Sequence, residues 1–415
     1  MITDRIRVVV TGMGVLSPLG NSVEELWTGL QSGRSGIGPI TLFDASAFPS
    51  VIAGEVRNFD FASFINTKEA RRMARFSQLS VAAAIMAVDD SKLDLESTNM
   101  ESVGVVMGAG NGSVPTIQEN CEIMISKGGM RINPFFMPMI LPNMATANLS
   151  RFIGAQGYSS TAVTACAASN QAIGEAFNVI RSGMADVMFT GGAEAGISEL
   201  GLGGFAVMKA LTTQNAEPAK ASRPFDSTRD GFIPAEGSGI IVMEELEHAI
   251  KRGARILAEV KGFGCTSDAS HLVQPKEDGS AAARAIEIAL EDSGIRKKDV
   301  DYINAHGTST PLNDLVETKA IKRAFGEHAY QIPISSTKSM IGHSLGASGS
   351  LEAVVCINSI TSNMIHPTIN YEYPDPECDL DYVPNVARSA PVNVVLSNAF
   401  GFGGQNACVV FSGYE

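Results

Sequence analysis

The 415-residue chain is poor in paired cysteines. Its six, at 121, 166, 265, 356, 378 and 408, form no C-x-x-C pair. That pattern excludes a dense disulfide scaffold and a cysteine-rich metal site, and leaves reduced thiols. Long apolar runs are also missing, since none approaches the ~20 residues of a membrane span. Residues 1–7 lead into a short V-V-V-T-G rather than the apolar core of a signal peptide, so a cytoplasmic location is expected. Positive charge is in deficit, with 31 Lys and Arg against 44 Asp and Glu, a net −13. A nucleic acid is therefore excluded as the main partner, and an acidic partner would need a local basic patch. Low-complexity segments and Pro-rich linkers are absent. What remains is a chain 45% hydrophobic and 18% charged, enough for a large core in one big domain or two halves.

Strand and helix patterns alternate from end to end, which predicts an α/β fold. Strands are expected over 7–11, 103–107, 187–190, 256–261, 300–304, 332–336, 392–397 and 407–411. Helices are expected over 67–88, 169–182, 280–292, 311–325 and 347–362. The second set repeats the first, which suggests two similar halves, 1–255 and 256–415. Cys166 and His343 each stand just before a helix rich in small residues, so the chemistry is expected at the seam between the halves.

Several motifs imitate other chemistries. Gly12-Met-Gly14 follows a strand, but Ser17 replaces the third glycine of a dinucleotide loop and no acidic strand end follows. Gly108-Ala-Gly110-Asn-Gly112 lacks the lysine of a P-loop. Tight backbone packing explains both. The segment G-H-S-L-G at 342–346 fits the elbow of a serine hydrolase, which would make Ser344 a nucleophile. His366 is the only histidine after it, with Asp375, Asp379 and Asp381 later still, so the order serine, acid, histidine fails.

Three segments carry reactive groups: T-A-C-A with Cys166, N-A-H-G-T-S-T with His306, and S-S-T-K-S-M-I-G-H with Lys338 and His343. A thiol at the first turn of a helix feels unpaired N–H groups and the positive end of the dipole, which favour its thiolate. An isolated buried cysteine is more often a small hydrophobe; the other two segments outweigh that reading. A Cys–His protease would leave one histidine and the lysine surplus. Claisen chemistry uses them all: the thiol accepts an acyl group, two imidazoles offer N–H to an enolate oxygen, and a buried ammonium orders their protonation.

These segments, with F-G-F-G-G-Q-N, K-E-A-R-R-M-A-R-F near residue 70 and V-V-V-T-G-M-G-V-L-S-P-L-G at the start, resemble the β-ketoacyl-acyl-carrier-protein synthases of type II, condensing enzymes of the thiolase fold. The resemblance implies a five-layered α-β-α-β-α fold of two similar halves, a homodimer, and elongation of an acyl chain by two carbons from malonyl carrier protein. No cofactor is implied beyond the phosphopantetheine arm of the carrier, and no metal. It makes Cys166 the acyl acceptor, with the N–H groups of Cys166 and Phe400 as oxyanion hole. His306 and His343 would stabilise the enolate, and Lys338 would hold the array. Thr308 and Thr310 would bind the pantetheine arm, Asn111, Phe205 and Phe402 would meet substrate, and Phe400 would gate. Asp314, Glu317 and Glu352 would be supporting carboxylates, though an exposed acidic helix face would look the same. Lys68, Arg71, Arg72 and Lys209 would form the basic patch that docks the carrier.

Three departures from the family pattern stand out: Pro234-Ala235, where a bulky apolar residue and a glycine are usual, Asn111, where isoleucine is usual, and Gln274-Pro275-Lys276 in place of a more apolar stretch. They leave the reaction class intact and open the acyl substrate, with a specialised polyketide or polyene ketosynthase, with or without a non-identical partner subunit, as the alternative. A thiolase would need a second cysteine as base; Cys408 is expected in a strand. A silent partner subunit would lack Cys166.

Overall fold

The computed structural model describes residues 6–414. Ten strands form one sheet: β1 (Val8–Leu16), β2 (Val103–Gly108), β3 (Ser159–Ala162), β4 (Val187–Glu194), β5 (Gly237–Glu245), β6 (Ala258–Ser267), β7 (Tyr302–Asn304), β8 (Ile334–Ser335), β9 (Val394–Gly401) and β10 (Gln405–Ser412). Their order is β8-β7-β9-β10-β6-β1-β5-β4-β2-β3. Read outward from the middle, each half runs first, fifth, fourth, second, third strand. The signs agree too: first–fifth and fifth–fourth pairs are antiparallel, fourth–second and second–third parallel. The halves join where residues 8–10 pair antiparallel with 258–260.

Helices complete five layers. Helix α1 (Arg75–Ser91) covers β1 and β5 on one outer face. Helices α2 (Ala168–Arg181) and α5 (Ser348–Ser362) pack on each other between the two half-sheets. Helices α3 (Ser280–Ser293) and α4 (Pro311–Phe325) form the other outer layer, with α3 against β6 and β10. The middle layer is wrapped by sheet on both sides, and α5 is accordingly buried from Ser348 through Ile357. That is why its sequence shows little amphipathic stripe.

Gly12 and Gly14 on β1 let α1 approach: a Cβ at Gly14 would lie 1.9 Å from the carbonyl oxygen of Ala83. Gly262 and Gly264 do the same on β6, where a Cβ at Gly264 would lie 2.1 Å from that of Ala285. The dinucleotide-like glycines are thus packing glycines, repeated once per half.

The structure adds elements the sequence reading did not expect, among them β3 and a helix over Val114–Lys127, and departs from it in further ways. The helix expected over 67–88 is two pieces, Thr67–Ala70 and α1, because Ala74 is extended and the Arg75 guanidinium is drawn to buried Glu236 at 2.7 Å. β5 carries no alternating pattern because nearly every residue in it is buried. The glycine-rich segment is the tip of a tight hairpin: β9 runs through Phe400 to Gly401, pairs with Gln405, and leaves 402–404 as the turn. Gly264→Ala should lower unfolding free energy by about 3 kcal/mol, because backbone rather than a flexible side chain opposes the methyl. Urea denaturation checks this; an unchanged midpoint would show that α3 can shift away freely.

Candidate active site

Two turns face each other at the seam. In Thr164-Ala165-Cys166 and in Ser344-Leu345-Gly346 the middle residue is left-handed, with φ of 50° and 46°. Each turn passes through one 3₁₀ turn, Ala165–Ala167 or Leu345–Ala347, into a central helix, α2 or α5. Non-glycine residues in this region are strained and persist only where packing fixes them. The two 3₁₀ turns pack on each other, and β9 presses on the first through Gly401, whose Cβ would lie 2.6 Å from the Thr164 carbonyl oxygen.

Cys166 Sγ lies 3.0 Å from His343 Nε2, and His343 Nδ1 lies 2.8 Å from Ser348 Oγ. The His306 ring stands nearly perpendicular to that of His343, 5.4 Å away. Glu317 accepts the backbone N–H groups of His306 at 2.8 Å and Gly307 at 2.7 Å, which fixes where His306 starts. Lys338 Nζ donates to Glu352 Oε1 at 2.5 Å with both side chains buried. All these side chains are buried. Burial first, and the Lys338 ammonium second, push both imidazoles well below their usual pKa, so they are neutral. Burial raises Glu317 and Glu352 to about 7, with Lys338 pulling Glu352 back down.

The same burial corrects the expectation of a standing thiolate. It pushes the Cys166 thiol up to about 12, against the pull of Lys338 and of the N–H groups of Phe402 and Cys166. Cys166 therefore rests as a thiol within hydrogen-bond distance of a neutral histidine. The hairpin N–H that acts on the sulfur belongs to Phe402. Phe400 is held in the β9–β10 ladder opposite Asn406, whereas Phe402 lies beyond the ladder, in the turn.

A cavity of about 420 Å³ opens above the sulfur. Cys166, His306 and His343 line it, together with Thr308, Thr310, Asn111, Phe205, Phe400, Phe402 and Lys209. Thr308 Oγ1 and Thr310 Oγ1 are 2.8 Å apart, and Phe400 meets His306 edge-on at 5.8 Å. Asp314 and Glu317 are buried rather than on an exposed face; Asp314 accepts the Phe225 N–H and sits 3.5 Å from Arg229 Nε. Lys68, Arg71 and Arg72 are exposed on one turn but do not line the cavity; Arg72 pairs with Glu69 and stacks on Phe135. Ser344 Oγ has only Ser348 Oγ at 3.4 Å, which is no base for a serine nucleophile.

Sequence reasoning missed two groups. Glu194, fully buried, accepts N–H groups of Gly110, Asn111 and Gly346. His366 is buried 3.0 Å from the hydroxyl of Thr337, the neighbour of Lys338, and burial lowers it to about 4. Neither stands in a polar motif; the G-G-A-E ending of β4 was the available signal for the first.

Because the thiol is protonated below about 12, alkylation of Cys166 by iodoacetamide should climb about tenfold per pH unit through pH 9. A plateau near pH 7, followed by mass spectrometry of the labelled peptide, would instead show a standing thiolate.

A model of the beta-ketoacyl synthase N-terminal domain matches residues 5–249, and one of the C-terminal domain matches 257–372. The 3-oxoacyl-[acyl-carrier-protein] synthase 2 of Synechocystis sp. is 49% identical over 412 residues, 99% of each chain. That of Coxiella burnetii is 47% identical over 409 residues, again 99% of each. Among solved structures, the ishigamide ketosynthase/chain length factor superposes with a TM-score of 0.93 at 38% identity, covering 99% of this chain and 100% of that one. A ketosynthase bound to a hexaketide, in complex with its type II PKS acyl-carrier protein, gives 0.90 at 36% with the same coverage.

Proposed function

The chain belongs to the β-ketoacyl synthase family, and on that premise we propose how its residues divide the reaction. It is an acyltransferase that condenses an acyl group with malonyl-acyl carrier protein, losing CO2 and extending the chain by two carbons, as in fatty-acid biosynthesis. The 3.0 Å contact between Cys166 and neutral His343, with His306 beside it, carries the assignment.

Cys166 passes its proton to His343 Nε2 as the sulfur attacks the acyl thioester. The tetrahedral oxyanion is met by the N–H groups of Cys166 and Phe402, and the carrier thiol leaves with the proton. Malonyl carrier then binds, its pantetheine arm along Thr308 and Thr310. Ring N–H groups of His306 and His343 receive the thioester oxygen as the C–CO2 bond breaks, and the enolate carbon attacks the acyl-Cys166 carbonyl, releasing the sulfur as a thiolate that takes a proton from water to restore the thiol. Ser348 can donate to or accept from His343 Nδ1, so the ring can serve both steps. Burial, with Lys338 second, keeps the imidazoles neutral between turnovers. Phe402, flanked by Gly401 and Gly403 at the hairpin tip, is freer to swing than ladder-bound Phe400, so the gate is assigned to Phe402.

Lys209 at the cavity, with Lys68, Arg71 and Arg72, would attract an acidic carrier to this acidic protein. A homodimer is supported by the exposed apolar side chains of Met124, Ile125, Met130, Phe135, Met137 and Leu141. The halves 1–255 and 256–415 would act as one catalytic unit without a cofactor of their own. Among the described residues no helix is long and apolar enough to cross a membrane, and all six cysteines are free, which supports the cytoplasm.

Cys166→Gln should abolish condensation and keep malonyl decarboxylation, read as CO2 release. His306→Ala should still acylate Cys166, read by mass, and lose about 10²–10³ of decarboxylation, as for a missing oxyanion donor. Full condensation by Cys166→Gln would sink the assignment.

A second reading, a polyketide or polyene ketosynthase acting alone or with a non-identical subunit, is favoured by Asn111, which is exposed in the cavity wall and suits a polar or unsaturated tail. Asn111→Ile should then shift Cys166 acylation towards saturated carriers in competition with polyunsaturated ones. The same saturated preference in both proteins would return the chain to ordinary elongation.

A further inference from the structure

Glu194 ends β4 with no exposed surface. Its carboxylate is held by three backbone N–H groups: Gly110 at 2.8 Å and Gly346 at 3.1 Å on Oε2, and Asn111 at 3.3 Å on Oε1. Gly346 occupies, in the second turn, the place Cys166 occupies in the first. The carboxylate therefore fills the N–H position whose counterpart in the first half faces the substrate. Two glycines make this convergence feasible: a Cβ at Gly110 would lie 2.5 Å from Glu194 Oε2, and one at Gly346 would lie 2.2 Å from the Gly110 nitrogen. In front of this joint stand Asn111 and Leu345, both facing the cavity.

We propose that Glu194 is a positioning residue that braces the acyl-facing wall of the cavity, so that the preference for long over short acyl tails depends on its carboxylate. The proposal rests on the condensing reading above. A carboxylate is needed because both oxygens accept. A glutamine offers one acceptor and turns an NH2 group against N–H donors, so the joint between Asn111 and Leu345 opens. The tail, which touches that wall, is affected; malonyl decarboxylation, which rests on His306 and His343, is not.

The test compares Cys166 acylation by acetyl- and dodecanoyl-acyl carrier protein, with malonyl decarboxylation measured alongside. Glu194→Gln should lower kcat/KM for dodecanoyl about tenfold relative to acetyl, the effect of one lost hydrogen bond at a buried joint. Decarboxylation should stay within about twofold. Equal losses for both chains and for decarboxylation, or no change in the ratio, would overturn the proposal. Wild-type protein gives a second readout should the variant not fold. Burial sets Glu194 near 7, so it is ionised above and protonated below. The dodecanoyl-to-acetyl ratio should therefore fall between about pH 8.5 and pH 6. Cys166, His306, His343 and Lys338 across the seam, Glu317 and Glu352, which burial also sets near 7, and the Arg75–Glu236 pair beside the adjoining end of β5, act on both substrates alike and cancel in the ratio. A pH-independent ratio would overturn the role of Glu194 alone, whereas wild type that neither acylates nor decarboxylates would overturn the condensing reading with it.

Discussion

One buried ammonium bears on both imidazoles, the thiol and its own partner carboxylate, second only to their burial. Lys338 is 1% exposed and has a single carboxylate partner, Glu352, equally buried. Breaking such a pair would strand a charge in a dry interior, costing about 3–5 kcal/mol. Its field then does three things: it adds to burial in lowering His306 and His343, opposes the raising of the Cys166 thiol by burial, and pulls Glu352 back down. The ammonium is itself placed by the turn that begins at Thr337, whose hydroxyl His366 holds from behind. A neutral His366 suits that task, since a charged one would face the same field.

The duplicated topology explains why so many distant residues meet. Two half-sheets of identical strand order sandwich two helices, and both helices start at the seam after a left-handed residue. The first start carries a thiol; the second carries Gly346, closed by Glu194. Helix starts present N–H groups and positive potential. One is spent on a resident carboxylate, and the other opens on the cavity beside the thiol. The asymmetry in one side chain makes half of a symmetric scaffold reactive and the other half supportive.

Most of this was legible as pattern and little of it as energy. The β runs ending near Asn304 and Ser336, and the small-residue helices after Cys166 and His343, announced the repeat because apolar periodicity and glycine stops survive in sequence. β5 gave no alternation because both its faces are buried. The helix expected over 67–88 broke at Ala74 because the pull on Arg75 comes from Glu236, a residue 161 positions away. The charge state of Cys166 was misread for a related reason: helix position is local and readable, whereas desolvation depends on the whole seam closing over the sulfur. Phe400 and Phe402 differ by two positions in a glycine-rich string, and only the hairpin register separates a ladder residue from a turn residue.

Pro234-Ala235, a departure from the usual pattern, shows how such a change is absorbed. The segment lies parallel to His343: the His343 N–H donates to the Ile233 carbonyl at 2.7 Å, and the Ala235 N–H donates to the His343 carbonyl at 2.9 Å. The contacts fall on residues 233 and 235, so residue 234 is not asked for an N–H, and proline lacks none that the site needs. Its carbonyl still accepts from Gly54 at 2.9 Å. The methyl of Ala235 fits because its neighbours are bare: a Cβ at Gly54 would lie 2.9 Å from it and one at Gly342 3.3 Å. The substitution thus stiffens the strand that clamps the backbone of His343 and leaves the imidazole where the thiol requires it.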